Sequence, residues 1–281
     1  MEDWSSYKTL RVRLDRGVIF ATIDNPPINL LDLELIGDLD RFGQAVEQAE
    51  DVRVVVFDSA DPEFFIAHAD VQLIKALPKD IPPKSDELSL FHAMVDRFRT
   101  MPKATIACIE GRTRGGGSEF VLSLDMRFGA LGRAVLSQPE VALGILPGGS
   151  GTQRLPRLMG RSRALEVILG CQDFPADLAE RYGYLNRALP PEELRPFVDA
   201  LAYRIASFPA EAVRLAKQAV LEADRDVVPG LLEENHLFNQ TLATDEAQQR
   251  MARFLELGGQ TREVETAPEI GDLVTRLEES A

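Results

Sequence analysis

The stretch Gly111-Arg112-Thr113-Arg114-Gly115-Gly116-Gly117-Ser118-Glu119 separates two apolar runs, residues 105–109 and residues 120–124. The first run reads as a buried strand and the second as the body of a helix. Three consecutive glycines between them let backbone approach a ligand without obstruction by Cβ atoms. A helix beginning at about Gly117 would aim free N–H groups and the positive end of its dipole at that spot. Such a place suits an oxyanion or a phosphate. A plainer reading stands beside this one: glycines at a strand-to-helix turn serve tight turning, and Glu119 in the first turn complements the dipole.

Outward from this turn, strands and helices alternate. Leu10, Val12 and Leu14 alternate with Arg11 and Arg13, and residues 18–23 give a second strand that Asn25-Pro26-Pro27 ends. Leu33, Leu35, Ile36, Leu39, Phe42 and Val46 have helical spacing, and residues 54–57 form a short buried strand of β-branched type. Leu88, Phe91, Val95 and Phe98 mark another helix, after a proline-rich stretch at 78–84 that reads as a mobile surface loop. This alternation predicts an α/β fold with the sheet covered on at least one face. After Pro190-Pro191 the pattern becomes helical throughout, over 194–205, 210–221 and 231–255, and an acidic arm or tail follows Gly258-Gly259. The expected organisation is a core over residues 1–190 and a helical region with an acidic tail over 191–281.

Composition narrows the function. The chain has 281 residues, 45% of them hydrophobic, and a formal charge of −14. Acidity of that degree repels phosphate backbones, so nucleic acid is not an expected partner. No apolar run approaches the ~20 residues of a membrane span, and the acidic N-terminus lacks the apolar core of a secretory signal. Cys108 and Cys171, far apart and outside any CxxC spacing, read as two buried thiols in a reducing compartment. A cytoplasmic protein with no membrane partner is the expectation. There is no P-loop pattern, no GxSxG elbow and no HExxH pair, and no metal site is expected. His92 and His236 fall in helical patterns as structural or solvated residues.

Two further segments can carry chemistry. Ser137-Gln138-Pro139-Glu140 precedes a glycine-rich loop, Pro147-Gly148-Gly149-Ser150-Gly151, and a carboxyl buried there would gain the raised pKa of a general acid. Ala67-His68-Ala69-Asp70 precedes a helical pattern that Asp70 can cap, offering a second helix N-terminus. In order, Asn25-Pro26-Pro27-Ile28-Asn29, Ala67-His68-Ala69-Asp70, Gly115-Gly116-Gly117-Ser118-Glu119, Ser137-Gln138-Pro139-Glu140 and the loop at 147–155 resemble the crotonase superfamily, the enoyl-CoA hydratase/isomerase family. The resemblance runs from about residue 10 to residue 190, and the helical remainder matches in kind.

The resemblance implies a crotonase-like spiral of ββα units with a C-terminal helical oligomerisation region. It implies a homotrimer or a dimer of trimers, and an acyl-CoA thioester as ligand. No separate cofactor is implied, because coenzyme A is part of the substrate. Carried onto this sequence, the oxyanion hole is the backbone N–H of Ala69 and of Gly116. Glu119 positions and deprotonates the water that attacks C3, and Glu140 delivers a proton to C2. Ala67, His68, Asp70, Arg114, Gly115, Gly148 and Phe254 fall at the substrate-binding positions. Both glutamates together favour hydration over isomerisation, decarboxylation, retro-condensation or binding without catalysis.

Two departures from the family pattern bear on the site. His68 stands where glycine is usual, either as a side chain near the thioester or as a loop residue facing solvent. Arg112 and Arg114 stand where small or apolar residues are usual. Arg114 could pair with Glu119 and depress its pKa, or either arginine could meet an acyl carboxylate or a coenzyme phosphate, with Arg112 otherwise a solvated surface residue. The basic residues that commonly follow the Phe254 position are replaced by Leu257-Gly258-Gly259.

Overall fold

The computed structural model describes residues 4–224 and 227–266. Leu10–Asp15 (β1) and Val18–Ile23 (β2) form an antiparallel hairpin with Leu10 opposite Ile23. Its turn residues, Arg16 and Gly17, have φ of 48° and 79°, the paired positive values that match a tight turn to strand twist. Leu33–Gln48 (α1) starts at Asp32, whose side chain accepts from Leu35 N. Next come Val54–Ser59 (β3), Phe64–Ile66 (β4), Val71–Ala76 (α2) and Leu90–Thr100 (α3). The following turn comprises Ala104–Ile109 (β5), Arg112–Arg114 (β6) and Gly116–Leu122 (α4). Another runs through Met126–Ala130 (β7), Val135–Ser137 (β8), a 3₁₀ turn at Glu140–Leu143, Gly151–Met159 (α5) and Arg161–Gly170 (α6). Phe174–Pro175 (β9), Ala176–Tyr182 (α7) and Arg187–Leu189 (β10) close the core.

Successive turns of chain add a long strand to one sheet and a short strand to another. The larger sheet has the order β1-β2-β3-β5-β7-β10 and the smaller one β4-β6-β8-β9. From β2 to β10 the larger sheet is parallel, so each return needs a crossover, and the chain winds as the expected spiral of ββα units. Side chains alternate between its faces. Val18, Phe20, Val54, Val56 and Ile106 meet Leu194, Val198 and Ala202 of Pro191–Ala206 (α8), while Ile19, Val55, Phe57 and Ile109 meet the helices opposite. Both faces are covered, which is why the strands read as unbroken apolar runs. The helix that opens the C-terminal region is thus packed on the sheet.

Ala210–Leu221 (α9), Val227–Leu242 (α10), Asp245–Glu256 (α11) and Arg262–Thr266 (α12) follow. The periodicity over 231–255 predicts one helix; the structure divides it at Thr244, whose hydroxyl accepts from Ala247 N and starts α11. The segment after Gly258, expected as an arm or tail, instead turns back onto the core as far as Thr266 and buries Glu265. The acidic residues 267–281 lie outside the described residues. Loop 78–84 is on the surface, and Cys108 and Cys171 are buried free thiols. No helix among the described residues is long and apolar enough to cross a membrane.

Phe57 sits edge-on to Phe42, Phe98 and Phe120 at ring separations of 5.8, 5.3 and 5.1 Å, tying β3 to three helices. Phe57→Ala is expected to cost about 3–5 kcal/mol, read as a lower denaturation midpoint in urea.

Candidate active site

Strands β4, β6 and β8 lie side by side and parallel. Their C-terminal ends therefore share one edge of the sheet, and the loops leaving them converge there, as ligand-binding loops do in parallel sheets. These loops carry His68 and Ala69, Gly115 and Gly116, and Gln138 to Glu140. The glycines are demanded by contact. A Cβ on Gly117 would lie 2.6 Å from the Ile66 carbonyl oxygen, and one on Gly116 would lie 3.1 Å from Ala69 Cβ. Gly115 has φ of 49°, where side chains are disfavoured.

The same approach sets two amides close together, Ala69 N lying 3.6 Å from where a Gly116 Cβ would be. Leu31 N donates to the His68 carbonyl at 3.0 Å and Asp70 N to the Leu31 carbonyl at 3.1 Å. The N–H of Ala69 between them, and that of Gly116, have no acceptor among the described residues. Buried N–H groups normally find a partner, so this pair is a ready-made oxyanion site. The loop is held from behind by Asn29, whose Nδ2 donates to the carbonyls of Phe64 and Phe65 at 3.2 Å. Asp70 caps α2 through Gln72 N at 2.8 Å, and Ala67 is packed with Ile28 and Phe64.

Glu119 and Glu140 are only 4% and 8% exposed. Glu119 Oε1 accepts from Gly149 N and Gly151 N, each at 2.8 Å. The alternate amides of the same turn, Ser150 N at 2.5 Å and Thr152 N at 2.8 Å, donate to buried Glu234, which also takes His92 Nε2 at 3.0 Å. One turn of backbone therefore fixes two carboxylates. In the orientation that satisfies both its ends, the Gln138 amide donates to both oxygens of Glu140 at 3.1 Å and accepts from Ser118 Oγ at 3.2 Å. Glu140 also borders a small cavity of about 50 Å³ that His68, Ala69, Gly116 and Phe254 line.

Burial pushes the Glu119 carboxyl well above its usual range, helped by the charges of Glu140 and Glu234 and opposed by the two amides. Burial pushes Glu140 up to about 8. An Arg114–Glu119 pair that depresses Glu119 does not form. Arg114 instead holds Asp173 with Nε at 2.8 Å and Nη2 at 2.6 Å, across the β6–β8–β9 strip. A two-pronged carboxylate partner satisfies the guanidinium fork, and nothing draws it toward Glu119.

His68 does not face solvent. Its Nδ1 lies 2.8 Å from the Ala69 carbonyl and its Nε2 3.0 Å from Glu265 Oε1, edge-on to Phe254. Burial works against the charged imidazole, but the Glu265 charge together with the hydrogen bonds to Glu265 and the Ala69 carbonyl raises its pKa, and His68 in turn helps hold Glu265 low despite its burial. Arg112 donates to the Thr266 carbonyl at 3.0 Å, so both departing arginines meet the returning C-terminal segment. Gly148 is away from the cavity; a Cβ there would strike the Phe238 ring at 2.4 Å, so it serves the approach of α10. Glu234 and Glu265 escape a reading of the sequence because each sits in an acidic helical run with no motif around it. His92 was legible only as a helical residue, although it anchors Glu234.

A carboxyl with an ordinary value near 4.5 that rises to about 8 on folding is protonated in the folded chain and ionised in the unfolded one between those limits. Its contribution to stability is therefore lost as pH rises through that window. Glu140→Gln is expected to melt above the wild type by a margin that widens from pH 5 to pH 9, read by scanning calorimetry.

A family model for enoyl-CoA hydratase/isomerase matches residues 13–261. The chain is 32% identical to the short-chain-enoyl-CoA hydratase of Clostridium acetobutylicum, with 85% of this chain and 91% of that protein aligned. It is also 32% identical to the crotonyl-CoA hydratase of Syntrophomonas wolfei, over 89% of this chain and 96% of the other. A Streptomyces avermitilis crystal structure with a provisional enoyl-CoA hydratase name superposes with a TM-score of 0.89 at 39% identity, covering 98% of this chain and all of that one. With the match spanning nearly the whole spiral and the helices beyond it, the chain belongs to the enoyl-CoA hydratase/isomerase family of the crotonase superfamily.

Proposed function

We propose that this protein is a hydro-lyase that adds water syn across the 2,3 double bond of a 2-enoyl-CoA thioester. The observation that carries the reading is the pair of unengaged amides, Ala69 and Gly116, beside two buried carboxyls whose pKa values are both raised. In this reading the thioester oxygen accepts from both amides and gains negative charge as water adds at C3. One donor aimed at such an oxygen is worth about 3–4 kcal/mol. The carboxyls divide the proton work. Two such groups sharing a site do not both ionise near neutral pH. This reading assigns the charge to Glu119, whose ionised form the Gly149 and Gly151 amides favour against the burial that raises it, and Glu119 takes a proton from water. Glu140, protonated below about pH 8, gives its proton to C2.

Coenzyme A enters as part of the substrate, and the reaction needs no other cofactor. Oligomerisation as a trimer or a pair of trimers is supported by α9, which has an apolar stripe yet no buried residue within the chain, with Leu215 and Val220 exposed at 48% and 73%. A cytoplasmic setting and a place in fatty-acid metabolism fit the same reading.

The test is loss of conjugated-thioester absorbance with crotonyl-CoA. Turnover by the wild type and a fall of about 10²–10⁴-fold in kcat for each of Glu119→Ala and Glu140→Ala are expected. Inert wild-type protein on short and medium chains would overturn the proposal, and a product with a shifted double bond would make it an isomerase. Activity should decline above about pH 8, as Glu140 ionises and can no longer supply a proton. Glu234→Ala, which releases the turn that orients Glu119, should lower kcat more than it raises KM, with Glu234→Gln falling between.

A further inference from the structure

The cavity beside Glu140 has a far wall of polar groups that hydration does not use. Ser137 and Arg114 are register partners on β8 and β6, so their side chains leave the sheet on the same face. Ser137 is 1% exposed, and its hydroxyl makes no hydrogen bond within the described residues. Glu265, fully buried, accepts through Oε1 from Gln260 N at 2.9 Å and meets His68 Nε2 at 3.0 Å. Its Oε2 has a 3.5 Å ion pair with Arg114 but no hydrogen bond. A buried polar atom left without a partner costs about 1–3 kcal/mol. Two of them, one a hydroxyl and one a carboxylate oxygen, belong to residues on the wall of one cavity.

The charges around that cavity decide what kind of group completes them. Arg114 and the His68 imidazole, whose pKa is raised, face Glu265 and Asp173, so each acidic group already has a basic partner. Glu140, protonated below about pH 8, adds no charge. A carboxylate or an ammonium would upset that balance, whereas a neutral group that both donates and accepts would not. The space is short as well. His68 and Arg114 are next in sequence to Ala69 and Gly115, so the wall stands close to the oxyanion amides.

We propose that Ser137, Glu265 and Arg114 form a subsite for a hydroxyl at the end of a short acyl chain. The inference rests on the hydratase reading for the seat of the thioester and adds the class of acyl group. In this arrangement the acyl hydroxyl donates to Glu265 Oε2 and accepts from Ser137 Oγ. Alkyl chains that continue past that point meet the ion-pair wall.

Saturated thioesters test this without turnover. The full chain is titrated calorimetrically with butyryl-CoA, 4-hydroxybutyryl-CoA and hexanoyl-CoA. Binding of the hydroxylated ester should be about ten-fold or more tighter than that of butyryl-CoA, with hexanoyl-CoA weakest. Ser137→Ala should bring the hydroxylated ester to near the butyryl value and leave butyryl-CoA itself unchanged, and Glu265→Gln should narrow the gap in the same direction. Equal affinity for butyryl and 4-hydroxybutyryl esters in the wild type, tightest binding of hexanoyl-CoA, or a preference untouched by Ser137→Ala would each overturn the subsite. Should crotonyl-CoA not be hydrated while the preference persists, the subsite stands and the reaction assignment falls. If no thioester binds, both fall.

Discussion

Close contact between the backbone at residues 66–69 and the backbone at residues 115–117 is the constraint on which the rest of the site depends. Parallel pairing of β4 with β6 brings the two segments side by side, and the absence of side chains at Gly116 and Gly117 lets them touch. From that contact follow the adjacency of two unengaged amides and the starting point of α4. The start of α4 in turn fixes Glu119 in its first turn. A side chain at Gly117 would have to displace β4 itself, so the geometry of the amide pair is set by packing rather than by loop preference.

The electrostatics are built on neutral donors. Glu119 is held by the amides of Gly149 and Gly151, and Glu140 by the Gln138 side chain. The nearest arginines are committed elsewhere, Arg114 to Asp173 and Glu265, and Arg154 to Asp96 and Ser150. Burial is the largest influence on both pKa values, and on Glu140 it outweighs the opposing charge of His68. A hydrogen-bonded carboxylate without a counter-ion is costly in isolation, which makes Glu234 and its His92 partner important: they hold the same turn rigid from the other side.

The C-terminal segment completes the site from far along the chain. Glu265 reaches His68 across 197 residues of sequence, and Arg262 pairs with Asp61 and Glu63 to seat α12 against the start of β4. Phe254 packs edge-on to His68. The site is thus closed by helices that contribute little to the sheet, and the polar character of its inner wall arises where the two parts of the chain meet.

Much of this was legible in the sequence, for a physical reason. Strands buried on both faces must be apolar throughout, helices must repeat their apolar side chains every three to four residues, and a close backbone contact admits only glycine. Those local demands leave marks at residues 18–23, 54–57 and 105–117, from which the α/β layering can be read, while the spiral winding was implied by the family resemblance. Charge partners leave no such mark. Arg114 was open to Glu119 or a ligand until the strip β6-β8-β9 set Asp173 beside it. His68 was equally open until α12 folded back and brought Glu265. Pairing energy depends on distance between side chains that sequence separation does not constrain, so composition and periodicity determine the scaffold and tertiary structure alone decides which charges meet.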